Sequence, residues 1–159
     1  MVKTNKVQGR RVVRYSNLED LLADAESLAA GDPELLGNWN LGQILGHIAQ
    51  GLNASIDGFP GKMPFLTKLV VGLLMRKTML AGPLRPGFKL PEAAEAQMVL
   101  PSETTPEEGL ELLRAAISRQ NAETSRVPHP ALGELSAADW ERAHLRHAEL
   151  HMSFAILKD

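Results

Sequence analysis

Three histidines, His144, His147 and His151, fall at spacings of three and four residues near the end of this 159-residue chain. Imidazole ionises close to neutrality and is a common nitrogen ligand of first-row metals, so the pattern bears on both proton transfer and metal binding. On a helix, at roughly 100° per residue, the three rings share an arc of about 60°. Arg142, Arg146, Glu149 and Ser153 take the far side, while Ala143, Ala148, Leu150, Met152, Phe154 and Ala155 flank the histidines. Rings on such an arc face a core, where a ring nitrogen without a partner costs on the order of 1–3 kcal/mol. Their partners are either hydrogen-bonding groups or a metal ion.

His147 and His151, at i and i+4, can place two nitrogens on one ion, and a third ligand from another helix would leave positions open to water or substrate. His47 is the best third candidate. His144 competes, but it lies seven residues, or about 10 Å along the axis, from His151, too far for both to reach one ion directly. It is therefore placed as a pocket wall or as the candidate catalytic histidine, able to shuttle a proton. Hydrogen-bonded core histidines with no ion remain the alternative on spacing alone. His129, between two prolines, reads as a turn or pocket-edge residue, and Trp140 as a core residue that can also line the pocket mouth.

The elements that must position these residues follow from caps and periodicity. The chain is expected to fold as one domain over residues 1–159, with a polar and partly extended first fifteen residues. Ser16-Asn17-Leu18-Glu19 matches a capping box, and Leu18, Leu21, Leu22, Ala25 and Leu28 recur at helical spacing until Gly31-Asp32-Pro33. Asn40 caps a second helix with the apolar face Leu41, Ile44, Leu45, Ile48 and Leu52, ending near Asp57-Gly58. His47 lies off that face beside Asn40, Gly51 and Ala54, whose small size leaves room for a ring. An apolar helix is expected from Met63 to Ala81, and an irregular segment from Phe88 to Ser102 that wraps the surface or covers a pocket. Thr105-Pro106-Glu107-Glu108 starts a third long helix, with Leu110, Leu113, Ala116 and Ile117 inward, running to about Glu123. Ser136 opens the histidine helix. The fold class is all-α: a four-helix bundle with an extra short helix in the connection between helices two and three.

Composition narrows the function classes. Hydrophobic residues make up 44% and charged residues 23%, the balance of a globular chain rather than a disordered one. The net charge of −2, with Arg10, Arg11 and Arg14 as the main basic group, argues against a nucleic-acid partner. Cysteine is absent, which excludes disulfides, a thiolate nucleophile and sulfur-ligated zinc. Lys68, Arg76 and Lys77 interrupt the apolar helix and leave too short a span for a bilayer. With no export signal at the start, a cytoplasmic location is expected, with a small-molecule substrate and with a homodimer through the apolar helix as one oligomeric alternative.

Trp39-Asn40-Leu41-Gly42-Gln43-Ile44-Leu45-Gly46-His47 resembles the second helix of the DinB superfamily, the YfiT-like metal-binding four-helix bundles, in which a Trp and a downstream His recur. His129-Pro130-Ala131-Leu132-Gly133-Glu134-Leu135-Ser136, followed by Trp140 and His147-Ala148-Glu149-Leu150-His151, is similar to an uncharacterised branch of that superfamily, the domain of unknown function 1569 type. The resemblance implies three metal ligands at His47, His147 and His151. It departs at Leu150 and Phe154, where relatives often carry a His and a polar residue, which implies a more apolar pocket or an altered chemistry.

The resemblance also implies a reaction class. Characterised members include transferases that use low-molecular-weight thiols, and others look like metal-assisted hydrolases. Three neutral imidazoles leave the charge of a divalent ion unneutralised, so the ion can acidify a bound water or hold a thiolate. Zinc or nickel is expected first, and manganese or iron also accept imidazole. Glu149 and Asp57 both point away from the site, which favours thiol activation over hydrolysis. The alternative is a non-catalytic bundle that binds a metal or a small ligand.

Overall fold

The computed structural model describes residues 2–60, 72, 74, 76–87 and 97–157. Its long helices are α1 (Leu18–Ala30), α2 (Leu41–Asp57), α3 (Pro106–Ala122) and α4 (Ala137–Met152), and two short strands, β1 (Glu34–Leu35) and β2 (Ala155–Ile156), pair antiparallel. The chain is an all-α helical bundle. Among the described residues no helix is long and apolar enough to cross a membrane.

Side-chain caps set the helix starts. Asn40 accepts from the Gln43 amide while Gln43 reaches back to the Asn40 amide, and Thr105 and Glu108 repeat this box at α3. Ser136 accepts from the Asp139 amide at α4. At α1 the expected box slips by one residue. Asn17 is the cap and accepts from Asp20, because its carbonyl oxygen reaches that amide, while the Ser16 amide donates to the Asp20 carboxylate.

All four helices feed one core. Leu21 and Leu28 of α1, Leu45 and Ile48 of α2, Leu113 and Ala116 of α3, and Ala148 and Met152 of α4 are buried in it. Helix α2 is central: its expected apolar face is buried, and so is the side carrying Gly42, Gly46 and His47. Two glycines let α3 approach it, since a Cβ on Gly42 would lie 2.3 Å from the carbonyl oxygens of Thr104 and Thr105, and one on Gly109 would lie 2.5 Å from that of Gly42.

Helix α4 differs from expectation on its charged side. Arg146 and Glu149 are 4% and 6% exposed and are covered by the N-terminal segment. The Tyr15 amide donates to Glu149 (2.8 Å), Arg146 donates to the Tyr15 carbonyl (3.1 Å), and the two side chains form an ion pair. Arg11 holds Asp24 of α1 through two hydrogen bonds of 2.8 and 2.6 Å, and the Tyr15 hydroxyl donates to the same carboxylate. A helical wheel gives direction but not cover, so a strap of polar residues seals the face that charge alone marks as solvated. Helix α4 also ends at Met152, so Phe154 lies in the following turn and Ala155 in β2.

The long connection from α2 to α3 is described in part. Residues 76–81 are helical, and the rest of the apolar helix expected from Met63 lies mostly outside the described residues. Of the irregular segment expected from Phe88 to Ser102, residues 97–102 are described, and Leu100 lies against α2. Gln43 donates to the Leu100 carbonyl (2.9 Å), and a Cβ on Gly46 would collide with the Leu100 side chain.

Candidate metal centre

His47 projects from the middle of α2, and His147 and His151 from the second half of α4. A Cβ on Gly51, one turn past His47, would lie 3.4 Å from the His147 ring, so the His147 imidazole lies against this side of α2. Nε2 of His147 lies 3.2 Å from Nε2 of His47 and 3.1 Å from Nε2 of His151. The three ligand atoms all fall within 4.8 Å of one another. The ring planes are steeply inclined to each other, at 63°, 67° and 76°, so three edges rather than faces converge on one point.

The other nitrogen of His47 decides its protonation. Nδ1 lies 2.6 Å from the carbonyl oxygen of Met98, which can only accept, so Nδ1 carries the hydrogen and Nε2 of the neutral ring presents a lone pair to the cluster. A single proton on His147 Nε2 would then have to serve both neighbours at once. A cation satisfies all three nitrogens. At metal–nitrogen bonds of about 2.1 Å, adjacent ligand atoms stand about 3.0 Å apart on an octahedron and about 3.4 Å apart on a tetrahedron. The two spacings made by His147, 3.2 Å to His47 and 3.1 Å to His151, lie between these, so the three histidines could hold a metal ion.

The electrostatics agree with ligation. Burial pushes the His147 and His151 imidazoles well below their ordinary value, and each is further lowered by neighbouring rings of the cluster. Burial also lowers His47, against the opposing effect of the Met98 carbonyl. All three are neutral at pH 7, so protons compete little with a metal.

Trp39 closes one side. Its indole stacks on His151 (5.3 Å between centroids, 11° between planes) and tilts over His47 at 4.9 Å. The register Glu34↔Ile156 and Leu35↔Ala155 brings it there, because the strand that leads to Trp39 runs along the exit of α4, with the Leu36 amide donating to Phe154 (2.9 Å). Trp39 and the Met98 carbonyl have no role in the spacing argument. The position of Trp39 depends on a pairing two residues long, so its only sequence signal is its place in the segment that carries the resemblance, and the second is a backbone atom that leaves no pattern of its own.

His144 does not join the three. It stacks on Trp140 (5.1 Å, 24°), which is buried as expected, and its buried Nε2 has no hydrogen-bond partner among the described residues. Burial, then the positive charge of Arg126 and His129, holds it down to about 3. His129 forms a turn, as expected, and its ring packs on Trp140 at 5.2 Å. Surface clefts of about 480 Å³ beside Arg14 and Arg142, and of about 550 Å³ beside Leu100 and Glu108, contain none of the three converging histidines.

No curated protein and no solved structure matches the chain. A family model does match, over residues 7–157, which takes in the N-terminal strap, both halves of the histidine cluster and β2. The chain thus belongs to the protein family of unknown function DUF1569.

Proposed function

We propose that this protein is a metal-dependent enzyme in which His47, His147 and His151 hold one divalent transition metal, zinc or nickel ahead of manganese or iron, and a low-molecular-weight thiol serves as cosubstrate for transfer to a small molecule. The observation that carries the reading is the convergence of three Nε2 atoms, with Nδ1 of His47 already committed to Met98. Three protein ligands leave coordination positions for reactants, the arrangement of catalytic rather than structural sites. The bound ion would act as a Lewis acid that makes an arriving thiol or water easier to deprotonate.

Two considerations support a thiol over a water nucleophile. The chain resembles the DinB superfamily, which includes thiol-dependent transferases. Hydrolysis also calls for a general base, and the carboxylates nearest in sequence are engaged elsewhere: Glu149 with Tyr15 and Arg146, and Asp57 with Arg119 at 2.6 Å. His144, about 5 Å along α4 from His147, is the candidate catalytic histidine, with an Nε2 that no described residue uses.

Protein purified without a histidine tag is expected to carry one equivalent of metal by elemental analysis, and His47→Ala and His147→Ala to lose it. Unchanged metal content in both variants would remove the site. With a panel of thiols and electrophiles, His144→Phe should keep the metal and the stack on Trp140 while activity falls by about 10²–10⁴. Turnover equal in wild type and His147→Ala would leave a metal-binding bundle in place of an enzyme.

A further inference from the structure

On the side of α4 turned away from the histidines lies a cleft of about 480 Å³ that neither the metal site nor the core uses. Three parts of the chain line it together: the N-terminal strap at Arg14 and Ser16, α4 at Arg142, Leu145 and Arg146, and the end of helical residues 76–81 at Leu80 and Ala81. Arg142 and Arg146 stand about 100–180° round the helix from His147 and His151, so a molecule in this cleft does not meet the triad.

The cleft carries an excess of positive charge. Its lining holds three guanidiniums, of Arg14, Arg142 and Arg146, and one carboxylate, of Asp139. Asp139 is shared between Arg142 at 2.9 Å and Arg76 at 3.3 Å. Arg146, 4% exposed, is matched by Glu149 and also serves the Tyr15 carbonyl. Arg14 lies 3.6 Å from Glu149, a carboxylate that Arg146 already neutralises. Adding the partners Arg76 and Glu149 to the lining leaves the excess at two positive charges. Asp20 is not part of the lining, since it accepts from the Ser16 amide at the start of α1.

The two accessible arginines are held in place. The side chains of Arg14 and Arg142 are 58% and 62% exposed, yet each is tethered through one terminal nitrogen, Nη2 of Arg14 to the Ala81 carbonyl at 3.3 Å and Nη1 of Arg142 to Asp139. A guanidinium has five N–H groups, so each keeps donors for a ligand at a reduced ordering cost. Leu80, Ala81 and Leu145 give the same cleft an apolar wall.

We infer that this cleft binds the phosphate dianion of a phosphate monoester, with Arg14 and Arg142 on its oxygens, Arg146 as fixed positive charge in the floor, and Leu80 and Leu145 against the organic part. A phosphate ester carries close to two negative charges above neutral pH and three acceptor oxygens, which arginine forks match. The site is made of protein groups alone and stands whether or not the histidines hold a metal.

The test is titration of the whole chain at pH 8 with phenyl phosphate, with benzoate, which keeps the ring and loses a charge, and with inorganic phosphate, which keeps the charge and loses the ring. Arginine Nε–H signals are followed by ¹H–¹⁵N correlation NMR. Those of Arg14 and Arg142 should shift saturably with phenyl phosphate, and the other two probes should bind at least about threefold more weakly. Arg14→Gln/Arg142→Gln should weaken phenyl phosphate by about tenfold or more, whereas Arg114→Gln/Arg119→Gln, an equal loss of charge on α3, should stay within about twofold of wild type. Vesicles of phosphatidylcholine with phosphatidic acid separate the sources of the ester: sedimentation with them that the Arg14/Arg142 variant loses assigns a lipid headgroup, and its absence a soluble ester. The inference is overturned by signals of Arg14 and Arg142 that phenyl phosphate does not move, by benzoate or inorganic phosphate binding as tightly as phenyl phosphate, or by equal losses in the two double variants. If the Arg14/Arg142 variant does not fold, unchanged affinity in Arg142→Gln alone overturns it.

Discussion

The Met98 carbonyl, 2.6 Å from Nδ1 of His47, has an effect that an ionisable partner would not. A carboxylate at that place would tend to charge the ring, whereas a carbonyl fixes the tautomer and leaves the ring neutral in a buried setting. His151 is oriented differently, by stacking under Trp39. Groups that orient ligands in this way typically change metal affinity by about 10–100-fold when removed. Trp39→Ala is accordingly expected to bind metal at least tenfold more weakly in competition with a chelating dye, while its helical circular dichroism stays unchanged. Wild-type affinity in that variant would show that α4 alone sets the His151 ring. At Gly51, an added methyl would meet the His147 ring at an ordinary 3.4 Å, so Gly51→Ala should retain metal.

At the scale of elements, legibility depended on whether a side chain near in sequence did the structural work. The capping boxes at Asn40 and Thr105 coincide with hydrophobic periods, and α2 and α3 start where those residues place them. The triad was readable for a related reason: an i, i+4 pair fixes two rings, and small neighbours flag the third. What joins elements was harder to see. Strands of two residues leave no alternation, and Tyr15 covers Arg146 and Glu149 through its backbone, which any residue type possesses. The approach of α3 to α2 lies between these cases, because glycines mark it without saying what comes close. It yields a direct test. A Cβ on Gly42 meets two backbone oxygens at 2.3 Å, whereas on Gly46 it meets the end of the Leu100 side chain, which can swing away. Overpacking against atoms that cannot yield costs about 1–3 kcal/mol or more, so thermal denaturation of Gly42→Ala should show a midpoint lowered by roughly 5–10 °C. Gly46→Ala should lose less, and the reverse order would mean that Thr104 and Thr105 give way more readily than Leu100.

At the scale of the whole molecule, the chain places all five of its histidines where burial disfavours the charged ring. Outside the three candidate ligands, His129 is lowered to about 4 and His144 to about 3 from an ordinary 6.5. Between those values and 6.5 the unfolded chain takes up protons that the folded chain refuses. The contribution is therefore fully favourable to folding above pH 6.5 and is lost as the pH falls toward 4 for His129 and toward 3 for His144. At pH 5 each ring accounts for a loss of about 2 kcal/mol, a sizeable part of the 5–15 kcal/mol that holds a typical domain folded. Urea unfolding midpoints should be flat from pH 8 to 7 and decline steeply from pH 6 to 5. His144→Phe preserves a flat ring on Trp140 and removes one of the titrations, so its decline should be shallower, and at pH 5 it should be the more stable protein. A variant whose midpoint falls in parallel with wild type would show that the fold accommodates the protonated His144 ring through an acceptor, and would withdraw it from the acid sensitivity.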